Sequence, residues 1–219
     1  MKAGVIHRFG GPEVLRIEEI GQPQAKPGEV LIRLRAAGLN RADVLVREGR
    51  FAELDKQQPL PIILGVEGAG DIAGLGEGVS SLRVGQRVAV LPMLTCGTCP
   101  ECDAGRVSEC AALTIVGEHV DGTYAQYIAL PARNAIPVPE QADLTYEQLS
   151  VSIVAYMTAW HMLRTRGGSR RARRCSSSAR AAAWAVPRCG WPARWARASS
   201  PPAVPTAKVR GCARSAPTR

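Results

Sequence analysis

A chain of 219 residues, 46% of them apolar, can bury one sizeable core or a domain with part of a second, and is too short for two complete domains of usual size. It contains no run of eighteen uncharged apolar residues and no signal-like stretch at residues 1–11, so neither a membrane span nor a secretory leader is expected and the reading is cytoplasmic. The net charge of +9 points first to a nucleic-acid partner, but residues 1–163 carry 14 Lys+Arg against 19 Asp+Glu, a net of −5, while residues 164–219 carry 14 Lys+Arg and no acid, a net of +14. Two segments with different origins or different jobs are implied.

Residues 3–6, 14–19 and 29–37 are short, aliphatic and bounded by Gly10-Gly11-Pro12 and Gln22-Pro23, which predicts three strands separated by turns. In the third, Val30, Ile32 and Leu34 alternate with Leu31, Arg33 and Arg35, the period of a strand with one buried face. Asn40 before the next apolar stretch and Gly49 after it predict a short capped helix. From Ile62 onward, glycines at 65, 68, 70, 74, 76 and 78 interrupt apolar pairs, a pattern of tightly turning strands. Residues 84–91 and 124–130 complete the strand candidates, and so many short strands close most simply as a small, partly open barrel. Thr145 and Gln148 have capping-box spacing and open one long helix, predicted to run to Leu163.

Cys96, Cys99, Cys102 and Cys110 place four thiols within fifteen residues, on a loop that Gly97, Pro100 and Gly105 allow to fold back. Four thiolates make a closed tetrahedral shell for zinc, with no position left for water or substrate, so the metal read here is structural. A ferredoxin cluster would want a final gap of three residues followed by proline, where this chain has seven and then Ala111. Disulfides would want an oxidising compartment, for which the sequence carries no address. His119 and His161 stand as single histidines, with a structural role as the default for each.

Gly38-Leu39-Asn40-Arg41-Ala42-Asp43, Leu64-Gly65-Val66-Glu67-Gly68-Ala69-Gly70, Val84-Gly85-Gln86-Arg87-Val88, the four cysteines and Asp121-Gly122-Thr123-Tyr124-Ala125 resemble, in order and spacing, the medium-chain alcohol dehydrogenase and quinone reductase family. The resemblance covers residues 1–163. It implies a mainly β, GroES-like catalytic domain over residues 1–135 with a zinc lobe at 93–113, then a linker and first helix at 136–163 leading to a Rossmann domain for NADPH or NADH. It also implies a small-molecule substrate (a quinone, enone or alcohol), no membrane partner, and association of the intact protein into homo-oligomers.

Members with a catalytic zinc carry Cys, His and Cys at three cleft positions, where this chain has Asn40, Val66 and a position near Val154. None of the three is a normal zinc ligand, and without a metal to collect an alkoxide the resemblance leans to quinone or enone reduction. By the same carry-over, Asn40 lines the nicotinamide end of the cleft, Arg41 reaches a cofactor phosphate and Thr158 lies beside the nicotinamide ring. Each has a plain alternative: a helix cap, a solvated charge, a helix hydroxyl bonded to its own backbone. Glu67 is expected to be a structural hydrogen-bond acceptor.

After Leu163 the family pattern stops. Residues 164–219 hold 13 Arg, 13 Ala, 7 Ser and 6 Pro, with no Leu, Ile, Phe, Tyr, Met, Asp or Glu, and cannot supply the aliphatic strands of a parallel sheet. Such a composition is what GC-rich DNA encodes out of frame. A shifted reading from Arg174 allows an aliphatic run and a Gly-rich turn of the dinucleotide-binding kind, so a one-base frame change between about residues 164 and 169 is expected, leaving a disordered tail and an inactive chain. The competing reading is a zinc lobe that presents a functional Arg-rich arm to nucleic acid, with Trp184, Trp191 and Trp195 able to stack on bases. The frame-change reading makes a nucleic-acid partner unexpected.

Overall fold

The structure, a computed structural model, describes residues 1–50 and 59–166; what the sequence predicts for residues 167–219 lies outside them. Strand β3 (Glu29–Ala37) is central, because its alternation buries Val30 and Ile32 completely and turns Arg33 and Arg35 to the surface. It pairs antiparallel with β5 (Gly68–Leu75) on one side and β9 (Tyr127–Pro131) on the other. Beyond β5 come β6 (Arg87–Val90) and β10 (Ala135–Pro137), giving a five-stranded sheet in the order β10-β6-β5-β3-β9. Register shifts between Leu31 and Ile32 and between Leu34 and Ala36 bend the strand, as bulges do, and curl the sheet over a core of Val30, Ile32, Ile72, Val88, Val90 and Ile128.

A second sheet, β2-β1-β4, is built from β1 (Lys2–Ile6), β2 (Arg16–Glu19) and β4 (Ile62–Ile63). Its inner side packs Ile6, Ile62 and Leu64 with Val14 and with Val46 of helix α1 (Arg41–Arg47). A two-stranded hairpin of β7 (Met93–Leu94) and β8 (Thr114–Ile115) closes the base of the cysteine loop. The predicted half-open β barrel is present. All pairs between these strands are antiparallel, and the described residues contain no alternating strand and helix unit.

Three expectations need correction. Residues 14–19 are not one strand: Pro12, at the first helical position after Gly11, starts a 3₁₀ turn through Val14, and the strand begins at Arg16. Residues 84–91 shorten to β6, since Gly85 turns with φ +82° and leaves Val84 exposed. The long helix expected to run to Leu163 is broken. α3 (Tyr146–Ser150) ends at Val151, the chain continues in wider turns over Ser152–Tyr156, and α4 (Met157–Trp160) passes into similar turns over His161–Arg166. The break has a local cause, because the N–H groups of Val154 and Ala155 donate to the Glu67 carboxylate while Tyr156 N–H reaches Val151 O at 3.3 Å.

The predicted capping box does form, with Thr145 N–H on Gln148 Oε1 at 3.0 Å and Gln148 N–H on Thr145 Oγ1 at 3.4 Å. α3 is anchored to the sheet by Tyr146, whose hydroxyl bonds Asp71 while the Arg87 guanidinium lies over its ring at 5.2 Å. No described helix is long and apolar enough to cross a membrane.

Candidate metal centre and cleft

The cysteine loop is held from below. Asn134, fully buried, donates its amide to Leu91 O at 2.9 Å and Met93 O at 2.8 Å, and Arg133 bonds Thr95 O, so the chain enters the loop at a fixed point. Gly97 and Gly105 take left-handed φ of +76° and +73°, and helix α2 (Pro100–Asp103) starts with Cys99 as its cap. These turns bring the Sγ atoms of Cys96, Cys99, Cys102 and Cys110 within 4.8 Å of one another. Cys110 to Cys96 is 3.7 Å and Cys96 to Cys102 is 3.9 Å.

A tetrahedron with arms of about 2.3 Å has edges of about 3.8 Å, the spacing of a zinc–thiolate shell. A disulfide would need about 2.05 Å. The donor set therefore fits zinc in chemistry and in size. The Cys96 thiol is pulled down to about 6, first by the Thr98 N–H and then by the sulfurs of Cys99 and Cys110. His119, read from sequence as structural, accepts the Ile115 N–H on Nδ1 at 3.1 Å and shapes the hairpin beside the lobe.

The second constellation lies where β3 ends and β5 begins. Glu67, 1% exposed, receives Asn40 Nδ2 on Oε1 at 2.8 Å and Val154 N–H on Oε2 at 2.9 Å, with Ala155 N–H at 3.4 Å. Its carbonyl accepts Thr123 Oγ1 at 2.8 Å and Gly38 N–H at 3.1 Å. The structure thus brings Asn40, Val66, Glu67 and Val154 together, with Val66 buried beside the carboxylate-bearing residue. Asn40 also caps α1 reciprocally with Asp43, its own N–H donating to Asp43 Oδ2 at 2.7 Å. Arg41 and Thr158 are exposed and have no side-chain partner among the described residues, so Arg41 stands as a solvated charge and the backbone bond offered as the plain alternative for the Thr158 hydroxyl is not formed.

Sequence reading missed the group behind Asn40. The Tyr124 hydroxyl donates to Asp43 Oδ2 at 2.7 Å and also lies 3.3 Å from Gly38 O. Burial is the first cause that pushes the Tyr124 phenol up, and the neighbouring Asp43 carboxylate adds to it. Both residues stand in the quoted motifs, but a contact across 81 positions leaves no local signal.

Burial also raises the Asp43 carboxyl, against the lowering effect of the Tyr124 hydroxyl and the Asn40 N–H. A carboxyl raised in the folded state binds its proton more tightly there than in the unfolded chain. Its contribution to stability is therefore full below the ordinary carboxylate range and is lost as pH rises through the folded value. Asp43→Asn, which keeps an acceptor for Tyr124, should remove that dependence, so urea denaturation across pH 4 to 8 should show the variant gaining on the parent as pH rises. A parent that gains on the variant instead would reverse the assignment.

Residues 26–140, 115 of the 219, match the family described as alcohol dehydrogenase GroES-like domain. An alcohol dehydrogenase of Geobacillus stearothermophilus is 34% identical over 169 residues, covering 76% of this chain and 48% of that protein. Among solved structures, an NAD-dependent alcohol dehydrogenase superposes with a TM-score of 0.72 at 39% identity, covering 78% of this chain and 49% of that one. A cobalt- and zinc-bound thermostable alcohol dehydrogenase from Pyrobaculum aerophilum superposes with a TM-score of 0.67 at 33% identity, covering 75% and 48%. The chain spans about half the length of these relatives. On the matched residues, which carry the cysteine lobe and the Asn40–Glu67 pair alike, the chain belongs to the alcohol dehydrogenase GroES-like domain family of the medium-chain dehydrogenases.

Proposed function

We propose that this chain is the catalytic-domain half of a cytoplasmic NAD(P)H-dependent oxidoreductase that reduces a quinone or a conjugated enone without a catalytic zinc. One observation carries the reading: at the three positions where family members with a catalytic zinc place Cys, His and Cys, this chain has Asn40, Val66 and a position near Val154, and both Asn40 and the Val154 backbone are tied to the Glu67 carboxylate. Cys96, Cys99, Cys102 and Cys110 hold one structural zinc, which supplies folding energy to the lobe and takes no part in the reaction. A bound reduced nicotinamide supplies the hydride.

Asn40 meets the substrate oxygen in this reading, and its N–H stabilises the charge that gathers there when a conjugated carbon is reduced. Arg41 and Thr158, both exposed, face the cofactor phosphate and the nicotinamide ring. We propose the division 1–135, 136–163 and 164–219 for catalytic domain, linker with first helix, and out-of-frame tail. The acid-free, aliphatic-poor composition of the last segment supports that division. In this reading the 219-residue chain is inactive, and the intact protein forms homo-oligomers.

A second reading, zinc-dependent alcohol oxidation, draws on the names of the relatives. Metal content separates the two, since quinone or enone reduction expects one zinc per chain and alcohol oxidation expects two. Sequencing the DNA across codons 160 to 175 tests the tail. The frame-restored protein should then oxidise NADPH or NADH with a quinone or enone and leave simple alcohols untouched. Sequence-selective, salt-sensitive binding of an oligonucleotide by the 219-residue chain would overturn the frame-change reading.

A further inference from the structure

We infer that Glu67 is the positioning residue of the cleft: its buried carboxylate fixes the Asn40 amide as a hydrogen-bond donor, so the ligand atom at Asn40 must be an acceptor such as a carbonyl oxygen. The inference rests on the reading of this cleft as the substrate site.

Both oxygens of the Glu67 carboxyl act as acceptors here: Oε1 takes the Asn40 amide and Oε2 the backbone N–H groups of Val154 and Ala155. The Asn40 amide could in principle turn over, since its oxygen and nitrogen have nearly the same shape. Turned over, it would set a carbonyl oxygen 2.8 Å from a carboxylate oxygen and take the same oxygen away from the Asp43 N–H that it faces in the capping box. Both changes are unfavourable, so one orientation is selected. The amide nitrogen then has a second hydrogen that Glu67 does not use, and Asn40 is only half-buried, so in the proposed reading that hydrogen is the one offered to a ligand.

The carboxylate itself has little freedom. A Cβ on Gly38 would lie 2.6 Å from Oε1 and 2.8 Å from Cγ of Glu67, so glycine at 38 is what lets the carboxylate sit against this loop. The Glu67 backbone is held by Thr123 and Gly38, and the other carboxylate oxygen is held by the turn at 154–155. One carboxylate thereby joins the segments at 38–40, 66–67 and 152–155, which a three-ligand metal would otherwise join.

Glu67→Gln separates this role from bulk stability. Its amide oxygen can still accept from Val154 and Ala155, but its NH₂ then meets the NH₂ of Asn40, and Asn40 must turn over. The full chain loaded with zinc is compared by side-chain amide NMR, with Asn40 assigned through Asn40→Ala. In the parent, the Asn40 hydrogen on Glu67 should exchange about tenfold or more slowly relative to an exposed amide, as expected for a hydrogen bond to a buried acceptor. In Glu67→Gln that protection should vanish while backbone Val154 and Ala155 stay protected.

Asn40→Asp/Glu67→Gln restores a donor and acceptor pair with reversed polarity, so Val154 and Ala155 should show the parent's protection in it, and where Glu67→Gln alone does not fold the double variant should recover that protection. Unchanged Asn40 signals in Glu67→Gln, or a double variant that fails to recover, overturn the positioning role. The substrate reading has its own arm. Addition of 2-cyclohexenone should shift the second Asn40 hydrogen in the parent and not in Glu67→Gln. If Asn40 responds to Glu67→Gln but never to the enone, Glu67 keeps its positioning role and the substrate reading falls.

Discussion

Cys110→Ser is expected to release the zinc and unfold the lobe between β7 and β8 while the five-stranded sheet stays folded. Between residues 95 and 113, Cys110 is the one buried residue, at 5% exposure, so the lobe has no apolar core of its own. Its charge pairs, Arg106 with Glu101 at 2.6 Å and with Glu109 at 3.4 Å, are exposed and contribute on the order of 0–1 kcal/mol each. A structural zinc in a small module supplies on the order of 10 kcal/mol, whereas the Asn134 and Arg133 contacts fix only the point where the chain enters the loop. Loss of the buried thiolate should weaken zinc by more than the roughly 10- to 100-fold typical of disturbing a ligand's supporting contacts.

Zinc release to a metallochromic indicator, read beside hydrogen exchange of residues 95–113, measures both effects. Acidification should act in the same direction, because protons compete with the metal for thiolate. The Thr98 N–H and the neighbouring sulfurs favour thiolate at Cys96, so zinc release should rise steadily as pH falls. A Cys110→Ser chain that keeps one zinc at parental affinity would remove the four-thiolate site.

How far the sequence reaches depends on how local the signal is. β3, the Asn40 cap and the Thr145–Gln148 capping box were readable because alternation and caps are written within a few neighbouring residues. The four cysteines were readable because a chelating loop carries its ligands close together. β7, β8 and β10 were not read, since elements of two or three residues leave no period. The 145–166 segment was read as one helix because its composition permits one. What interrupts it is a carboxylate 87 positions earlier in the chain. Asn40 was singled out, but its bond to Glu67 and the Tyr124–Asp43 pair beneath it depend on how β3 meets β5, and no window along the chain contains both strands.

That meeting of β3 and β5 is the basis of the second large effect, expected for Gly70→Ala. Leu34 and Gly70 face each other in the ladder, and a Cβ on Gly70 would lie 2.0 Å from Arg33 O, 2.8 Å from Arg33 C and 3.0 Å from Leu34 Cα. All three atoms are backbone, so no side chain can move aside and relief requires the two strands to part. Overpacking against movable side chains costs about 1–3 kcal/mol, and this contact should exceed it, at about 3 kcal/mol or more.

Gly74→Ala, on the same strand, is the control. Its nearest contact would be Leu31 Cβ at 3.6 Å, ordinary van der Waals distance, and its effect should stay within about 1 kcal/mol, with the reduced freedom of the unfolded chain acting in its favour. Urea denaturation at fixed zinc compares the two variants, since metal bound only to the folded state would otherwise shift both midpoints. Equal losses would mean that the 68–75 strand tolerates a side chain at either position and that the close approach is not what selects glycine. A selective loss at Gly70 bears on the Asn40–Glu67 pair as well, since β3 runs out through Ala37 into Gly38 and Asn40 and β5 starts one residue after Glu67, so the two strands that part are the ones that carry the bond's two ends.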